Sequence, residues 1–300
     1  MTAALRRWWA ALGWPGTLLL VMAFAALVVP MLGGAEMRSI GDVLGTRLTP
    51  PLSRDRLGTW HLLGTDAFGR DLFVRLWTGA RVSLFVGVAG STLSALVGVA
   101  LGALAGWRGG WTDRGIVALG DALLAIPRLV LLLVVAALWS PGLSVVIVVL
   151  GLTGWMSVMR LVRADVQGAR SLAFVEGAAA LGVPGGRLLR RHVLPNALGS
   201  ALVATTLGVG NAIVLESGLS FLGLGVQPPT ASWGNMIAGG REWLLVAPWI
   251  SLAPGVALIA TVVCATLLGE RFAVRLTPPA APRGAASPAP TARPAALPRS

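Results

Sequence analysis

The sequence predicts an all-α, polytopic membrane protein with six transmembrane helices. Among its 300 residues, 55% are hydrophobic and 12% are charged, which is about half the charged share of a typical globular domain. The hydrophobic residues form uncharged runs, several of them long enough for the helix of about 20 residues that crosses a bilayer. A soluble chain with so few charges could not cover its surface with polar groups, so we expect lipid to surround most of the chain.

Six apolar segments account for the predicted spans. The first follows Arg6 and Arg7, and its apolar run is longer than the hydrophobic region of a secretory signal peptide. A later run from Leu129 to Met159 is interrupted by a Ser-Pro-Gly turn at 140–142, which divides it into a third and a fourth helix. The predicted spans are 14–33, 82–107, a helix from near Ile116 to the turn, 143–162, 197–215 and a stretch within 243–269.

The distribution of arginine sets the predicted topology. All 24 basic residues are arginine, and the net charge is +12. Because they are spread among short loops and form no dense basic stripe, they do not indicate a nucleic-acid-binding protein. The positive-inside rule places both termini in the cytoplasm. The predicted organisation is a cytoplasmic segment at 1–13, a first transmembrane helix at 14–33, an extracytoplasmic loop at 34–80, a permease-like core at 81–272 with five transmembrane helices and a cytoplasmic loop at 163–195, and a disordered, proline- and alanine-rich cytoplasmic tail at 277–300.

The inner loop between the fourth and fifth spans predicts two short helices outside the membrane. Ser171 suits a helix N-cap, and Gly182 suits the left-handed residue that ends a helix. Pro184 is acceptable in the first turn of the next helix. The first short helix has an apolar face made of Phe174, Val175, Ala178 and Leu181. That face needs cover, either from a separate subunit or from the chain's own helix bundle.

The same loop resembles the coupling loop of the permease subunits of bacterial ABC importers. Glu176 and Ala178 are followed by Gly182, and then by His192-Val-Leu-Pro195, in the order of the family's EAA motif. In that family the loop forms a coupling helix that inserts into a groove of the cytoplasmic ATPase. Gly where the family usually has Ala weakens the helix by about 1 kcal/mol. The resemblance implies an ATPase-coupling loop that includes Glu176, Gly177, Ala178, Leu181, Gly182, His192 and Pro195.

Further motifs resemble the C-type permease of the dipeptide, oligopeptide and nickel group of this family. They are His61-Leu-Leu-Gly-Thr-Asp-Ala-Phe-Gly-Arg-Asp71 before the second span, Ala125-Ile-Pro127 in the third, Glu216-Ser-Gly-Leu-Ser-Phe-Leu-Gly-Leu-Gly225 at the end of the fifth, and Pro254-Gly255 in the sixth. The match runs from about residue 60 to residue 272, and it implies the type I ABC importer permease fold in a bacterial inner membrane. Two departures are Glu270-Arg271, where the family has Asp-Gly, and Arg128, where we expect an uncharged residue.

The resemblance also implies the partners of the chain. They are a second permease subunit in a heterodimer, two cytoplasmic ATPase subunits, an extracytoplasmic substrate-binding protein and membrane lipid, with no nucleic acid. Because the sequence contains no lysine, it cannot form the Gly-x-x-x-x-Gly-Lys-Ser/Thr phosphate loop. We therefore expect ATP and magnesium on the partner ATPase subunits, and no cofactor, metal or catalytic site in this chain.

Glu216 is a candidate residue of the translocation path or of a gate, together with Ser220 and Phe221. Ionisable residues inside a membrane span are costly, and they usually face the bundle interior or water. The alternative is that this carboxylate accepts hydrogen bonds from the backbone freed at the glycine-rich end of the fifth helix. The residues alone leave both roles open.

Five other charged residues are candidates for contacts between subunits or within the fold. They are Asp121, Arg128, Arg70, Asp71 and Arg81. A continuous third helix would place Asp121 and Arg128 on nearly one face and about 10 Å apart. Arg128 is a candidate partner for an acidic group on the second permease. Asp121 is otherwise expected to be a solvated carboxylate at the membrane interface. Arg70, Asp71 and Arg81 predict a salt-bridge cluster that fixes the entry to the second span, with contact to the substrate as the alternative.

Two other classes of function were weighed against the importer subunit. An ion-coupled secondary transporter would need ion-coordinating groups in the membrane and usually internal repeats, and no repeat is visible. An intramembrane enzyme would need a motif such as His-Glu-x-x-His or Gly-x-Ser-x-Gly, and neither occurs in the sequence. We therefore expect the permease subunit of an ATP-driven importer, forming half of a pathway for peptides or a similar small solute. The residues do not identify the solute.

Overall fold

The computed structural model describes residues 3–32, 43–139 and 142–276. The elements in chain order are α1 (Ala3–Leu32), α2 (Val43–Thr46), β1 (Ser53–Arg54), β2 (Trp60–His61), α3 (Leu72–Arg108), α4 (Gly110–Ala125), α5 (Arg128–Leu138), α6 (Leu143–Arg170), α7 (Ala173–Ala180), α8 (Gly185–Leu188), a π-helical turn (Leu189–Val193), α9 (Leu194–Phe221), α10 (Trp233–Gly240), a 3-10 turn (Arg241–Trp243) and α11 (Trp249–Leu276). This confirms the all-α class, because the strands form only one short antiparallel hairpin. The predicted disordered tail at 277–300 lies outside the described residues.

Five helices in the described chain are long and apolar enough to cross a membrane. They are Leu12–Leu32, Leu72–Arg108, Leu143–Arg170, Gly185–Phe221 and Trp249–Arg275. A sixth candidate is a bent pair of helices, Gly110–Ala125 with Arg128–Val135. The prediction of six spans therefore holds when this pair counts as one broken span.

The third predicted span is not the continuous helix that the sequence suggested. α4 and α5 meet at an angle of 86°. Ile126 adopts an extended conformation, and Pro127 caps α5, because a residue before proline is disfavoured in the helical region. Asp121 and Arg128 consequently belong to two different helices, which corrects their predicted placement on one face.

α3 and α6 form the most extensive helix pair of the fold, and glycines bring their backbones together. A Cβ atom on Gly102 would lie 2.6 Å from the carbonyl oxygen of Met159, and one on Gly106 would lie 2.8 Å from that of Arg163. Gly98 makes a similar approach to Trp155. Small residues at a spacing of four allow such close packing in membranes, so these glycines set the short distance between the two helices.

α1 packs on the outside of this pair, against α3 and α11. Met22 and Ala26 are buried there in a cluster that also contains Ile213 of α9 and Trp233 of α10. Arg81 of α3 donates a hydrogen bond of 3.1 Å from Nη2 to the carbonyl oxygen of Leu27. The first helix is therefore attached both by apolar contact and by an arginine that reaches its backbone.

α3 begins at Leu72, before the predicted start of the core, so the end of the predicted outer loop is helical. Asp71 caps this helix, because its carboxylate accepts a hydrogen bond of 2.9 Å from the backbone N–H of Val74. Polar residues hid this start from a search for apolar runs, since Arg75 and Arg81 lie in its first turns.

We predict that Gly102→Ala destabilises the protein by about 1–3 kcal/mol, because the new methyl group would overlap the backbone of α6. The apparent unfolding temperature of the detergent-purified chain measures this effect. Gly168→Ala on α6 is the matched control, since a Cβ atom there meets nothing within 4 Å and alanine favours the helix. Equal unfolding temperatures for Gly102→Ala and the wild type would contradict the proposed close packing.

Candidate functional site

The predicted coupling loop forms a short helix and a turn between α6 and α9. α7 spans Ala173–Ala180, and it carries Glu176, Gly177 and Ala178. Gly182 has φ of +81°, the left-handed conformation that glycine adopts most easily. Pro184 caps the single turn of α8. Two features differ from the expectation: Ser171 does not cap α7, since the N-cap is Leu172, and α8 runs through the π-helical turn into α9.

α7 buries one side chain against the bundle and leaves much of its apolar surface exposed. Val175 is 3% exposed and packs with Val162 and Val166 of α6. By contrast, Phe174 is 52% exposed and Leu181 is 87% exposed. The chain's own bundle therefore covers only part of the apolar face, and the remainder is free to contact another molecule.

The base of α9 supports α7 from behind. His192 lies edge-on to the ring of Phe174, with ring centroids 6.4 Å apart, and Pro195 occupies the first turn of α9. Val193 is completely buried in the cluster that holds Val175. The residues of the predicted coupling loop are thus brought together at one end of the helix bundle, where His192 contributes packing to the loop.

Glu216 lies at the centre of a fully buried polar cluster near the other end of α9. Its side chain is 0% exposed. Ser220 Oγ donates to Oε1 at 2.7 Å, and Ser83 Oγ of α3 donates to Oε2 at 3.1 Å. Ser83 also accepts a hydrogen bond of 3.2 Å from the backbone N–H of Trp233. The carboxylate therefore joins α3, α9 and α10 through hydroxyl groups.

The two residues predicted to accompany Glu216 have different surroundings. Ser220 belongs to the buried cluster and also accepts a hydrogen bond of 3.0 Å from the backbone N–H of Val226. Phe221 is partly exposed, and the guanidinium of Arg241 lies 6.0 Å from its ring centroid. Gly234 of α10 allows that helix to pack closely against the buried cluster on α9, because a Cβ atom on Gly234 would lie 2.6 Å from Cα of Ser217.

A cavity of the described chain lies elsewhere, at the mid-length of three spans. It has a volume of about 370 Å³ and is bordered by α3, α6, α9 and the first residue of α5. Its polar lining consists of Ser91, Ser94, Arg128, Ser157, Thr205 and Asn211. Glu216 is not part of this lining, whereas Arg128 is its one charged residue.

The arginines of α6 pair with the aspartates of α4. Arg160 contacts Asp121, and Arg163 makes a two-pronged contact with Asp113, in which Nη2 lies 2.7 Å from Oδ2. Asp121 was expected to be a solvated carboxylate or a distant neighbour of Arg128, so this pairing with α6 is a correction. The bend before α5 causes it, because α4 then lies along α6 instead of continuing into α5.

The charged residues before α3 form two clusters, not the single one that the sequence predicted. Asp66 pairs with Arg70 at 2.7 Å and lies 3.5 Å from Arg75. Asp71 instead accepts from the ring of His61, with Oδ2 and Nδ1 2.7 Å apart. Arg81 belongs to neither cluster, since it bonds the backbone of α1.

His61 bridges two carboxylates of the segment between α1 and α3. Its Nε2 lies 3.3 Å from Oδ2 of Asp55, and the ring is 5% exposed. Asp55 also accepts hydrogen bonds from the backbone N–H groups of Leu57 and Thr59. Two aspartates that flank a histidine, Asp55 and Asp71 around His61, are the sequence feature that could have indicated this cluster. The β-hairpin that brings the three side chains together could not be predicted from the sequence.

Comparison with known proteins identifies the family. Residues 98–278 match the family described as the binding-protein-dependent transport system inner membrane component, and the chain belongs to this family. It is therefore a multi-pass inner-membrane protein and a permease subunit of an ABC importer, which confirms the resemblance drawn from the coupling loop and excludes the secondary transporter.

Three relatives are similar over most of the chain. The oligopeptide transport system permease protein OppC of Bacillus subtilis is 40% identical, over 81% of this chain and 77% of the relative. The dipeptide transport system permease protein DppC of the same organism is 39% identical, over 73% and 68%. A putative peptide permease protein of Brucella suis is 37% identical, over 84% and 82%.

A solved structure has the same fold. It is a chain of the MetNI methionine ABC transporter in an inward-facing conformation, which matches with a TM-score of 0.51 and 20% identity over 69% of this chain and 97% of that chain. This likeness, together with the family, confirms the type I importer permease fold.

We predict that Glu216→Ala lowers the stability of the purified chain by about 2–4 kcal/mol, because it leaves a void and removes the acceptor of buried hydroxyl groups. Glu216→Gln retains the volume and one acceptor oxygen, so it should lose much less. Apparent unfolding temperatures of the three proteins in detergent test this. An equal loss of unfolding temperature in Glu216→Ala and Glu216→Gln would contradict this prediction, because it would show that the volume and the remaining acceptor oxygen of glutamine contribute no stability.

We also predict that acid weakens the segment between α1 and α3 through Asp55. Burial alone raises the pKa of this carboxyl, but hydrogen bonds from Thr59, His61 and Leu57 outweigh it and hold the pKa below the ordinary value of 3.8. The stabilisation is therefore complete above that value and is lost as the pH falls through the lower pKa of the folded state. Asp55→Asn should flatten the decline of unfolding temperature between about pH 5 and pH 2, where the Asp55 carboxyl gains its proton, and an unchanged slope would contradict the role of Asp55.

Proposed function

We propose that this chain forms half of the membrane pathway of an ATP-driven importer of peptides or a similar small solute, and that a second permease subunit in a heterodimer forms the other half. The names of the relatives support peptides as the cargo, since they are permease proteins of oligopeptide and dipeptide transport systems. A cavity between α3, α6 and α9 that carries polar side chains on its wall supports a role in solute passage, because polar groups inside membrane spans usually face water or a protein interior.

Two cytoplasmic ATPase subunits drive the importer, and one of them binds α7 and the turn at Gly182. The observation that carries this assignment is the exposed apolar surface of Phe174 and Leu181 on a helix that its own bundle covers only at Val175. Exposed apolar groups at the end of a helix are suited to insertion into a groove of a partner. ATP and magnesium bind to those subunits, and this chain is a non-catalytic component.

The proposed orientation places α7 and both termini in the cytoplasm. The arginines at this end of the bundle support it: Arg170 donates a hydrogen bond of 2.9 Å to the carbonyl oxygen of Trp107, so the C-terminal ends of α3 and α6 meet near α7. The segment around the β1–β2 hairpin precedes the opposite end of α3. It would face the extracytoplasmic substrate-binding protein.

We expect Leu181→Asp to abolish co-purification of the ATPase subunits, because a carboxylate would have to be desolvated in the apolar groove. Val274→Asp is the matched control, since Val274 is about as exposed as Leu181 and lies near the end of α11 on the same proposed side. The measurement is the amount of ATPase retained when the tagged permease pair is purified, followed by ATP-dependent uptake into proteoliposomes that contain the binding protein.

Loss of the ATPase in both variants, or in neither, would contradict docking at α7. Uptake that is driven by an ion gradient, without ATPase subunits, would contradict the importer itself. Wild-type ATPase binding together with absence of peptide uptake would retain the coupling assignment and exclude peptides as the cargo.

A further inference from the structure

The cavity at mid-membrane depth contains a guanidinium without a carboxylate partner. Arg128 makes two hydrogen bonds with the protein, from Nε to Thr153 Oγ1 at 3.4 Å and from Nη2 to the carbonyl oxygen of Leu150 at 3.3 Å. An arginine has five N–H donors, so three have no hydrogen-bond partner among the described residues. Within residues 3–32, 43–139 and 142–276, no carboxylate oxygen lies within 4.0 Å of it.

Two neighbouring arginines, which belong to α6 itself, differ from Arg128 because they have carboxylate partners. Arg160 and Arg163 each pair with an aspartate of α4, although both lie closer to the C-terminal end of α6 than the residues that Arg128 contacts. An arginine at the centre of a span is costly, and in most proteins it is paired or faces water. The structure therefore keeps a charge where it is most costly and leaves its donors open to the cavity.

A second polar group in the cavity also lacks a partner. Ser91 of α3 is 4% exposed, and its Oγ has no hydrogen-bond partner among the described residues. Unpaired buried hydroxyl groups are rare and call for an explanation, such as a water or a ligand. Ser91 borders the same cavity as Arg128, so both could bond one molecule there.

The backbone is shaped to admit the guanidinium at this place. A Cβ atom on Gly154 of α6 would lie 3.0 Å from Nη2 of Arg128 and 2.1 Å from Oγ of Ser94. Only glycine allows these groups to approach α6 so closely. In addition, Arg128 is the first residue of α5, so the positive end of this helix dipole adds to its charge.

From these observations we propose that the cavity is a binding site for an anionic group, namely a carboxylate of the transported solute during its passage. The guanidinium offers N–H donors in the planar arrangement that suits a carboxylate, and Ser91 offers a hydroxyl donor. The solute's identity rests on the importer function proposed above. The positive character of the cavity is independent of that proposed function, so it can be tested without a transport measurement.

Charged thiol reagents test the cavity directly in the assembled complex of permeases and ATPases. Cys264 is the one cysteine of the chain, so Cys264→Ala provides the background. Ser157→Cys then places a thiol on the cavity lining. We measure its reaction rates with an anionic sulfonatoethyl and a cationic trimethylammonioethyl methanethiosulfonate, each divided by the rate with free 2-mercaptoethanol.

We expect the normalised rate of the anionic reagent to exceed that of the cationic reagent about tenfold, because a positive cleft concentrates anions. Arg128→Gln should reduce this ratio to about one, whereas Arg128→Lys should preserve a clear preference for the anion and shows that the fold survives substitution. A ratio near one in the wild-type background, a ratio that survives Arg128→Gln, or no reaction with either reagent with or without ATP would overturn the proposal.

Uptake of trialanine and of trialanine amide into proteoliposomes tests the carboxylate of the solute. We expect Arg128→Gln to reduce uptake of trialanine about tenfold or more and uptake of the amide less than about twofold. For each peptide, the uptake by the variant is divided by the uptake by the wild type. This ratio removes any preference of the binding protein for one peptide, because the same binding protein serves the variant and the wild type. An equal reduction of the two probes would overturn the proposal.

The alternative occupant is an acidic side chain of the second permease. It predicts that Arg128→Glu is rescued by an arginine at that acidic position and that the reagents show no preference, and this pair of results would overturn the proposal. If the wild type takes up neither peptide while the reagent preference depends on Arg128, the peptide assignment fails and the anion site stands.

Discussion

The backbone contact between α3 and α6 is the constraint on which the rest of the structure depends. Inside a bilayer, helices gain little by exchanging lipid for each other's apolar side chains, so their association relies on close fit. The glycines at 98, 102 and 106 provide that fit by removing the side chain at each turn that faces α6. Once the two backbones are in contact, the arginines of α6 can reach the aspartates of α4, and α9 packs across the pair to enclose the cavity.

Three polar clusters at different depths then have different consequences. Near the C-terminal end of α9, Glu216 is satisfied by hydroxyl groups of α3 and α9. Nearer the C-terminal end of α6, Arg160 and Arg163 have aspartate partners. Of these three clusters, the middle one, with Arg128 and Ser91, leaves N–H and O–H donors without a partner among the described residues. Polar groups without a hydrogen-bond partner inside the protein are expected at functional positions. The paired clusters therefore hold the helices together, whereas the donors of the middle cluster are available to a bound solute.

Apolar periodicity predicted the number and approximate position of the spans because the bilayer imposes length and composition on each helix. It could not predict the bend at Pro127, since proline occurs both in kinked and in broken helices, nor the start of α3, which lies in polar sequence. Local residue types predicted the short helix that ends at a left-handed Gly182 and the turn that begins at Pro184, because glycine and proline have local conformational roles. The partners of Asp71, Asp121 and Glu216 depend on helices that are distant in sequence, and no local pattern specifies them.

A series of packed side chains connects α7 with the cavity. Val175 of α7 contacts the cluster that contains Val166, Val162 and Val158 of α6, and Val158 itself borders the cavity. Packed interiors transmit displacement because they resist deformation. We therefore expect a movement of α7 to carry α6 with it, and α6 presents Gly154 and the carbonyl of Leu150 to Arg128. A shift of α6 relative to α5 would change which donors of the guanidinium are open to the cavity, and this gives ATP-driven motion at one end of the bundle a direct route to the affinity of the site at its centre.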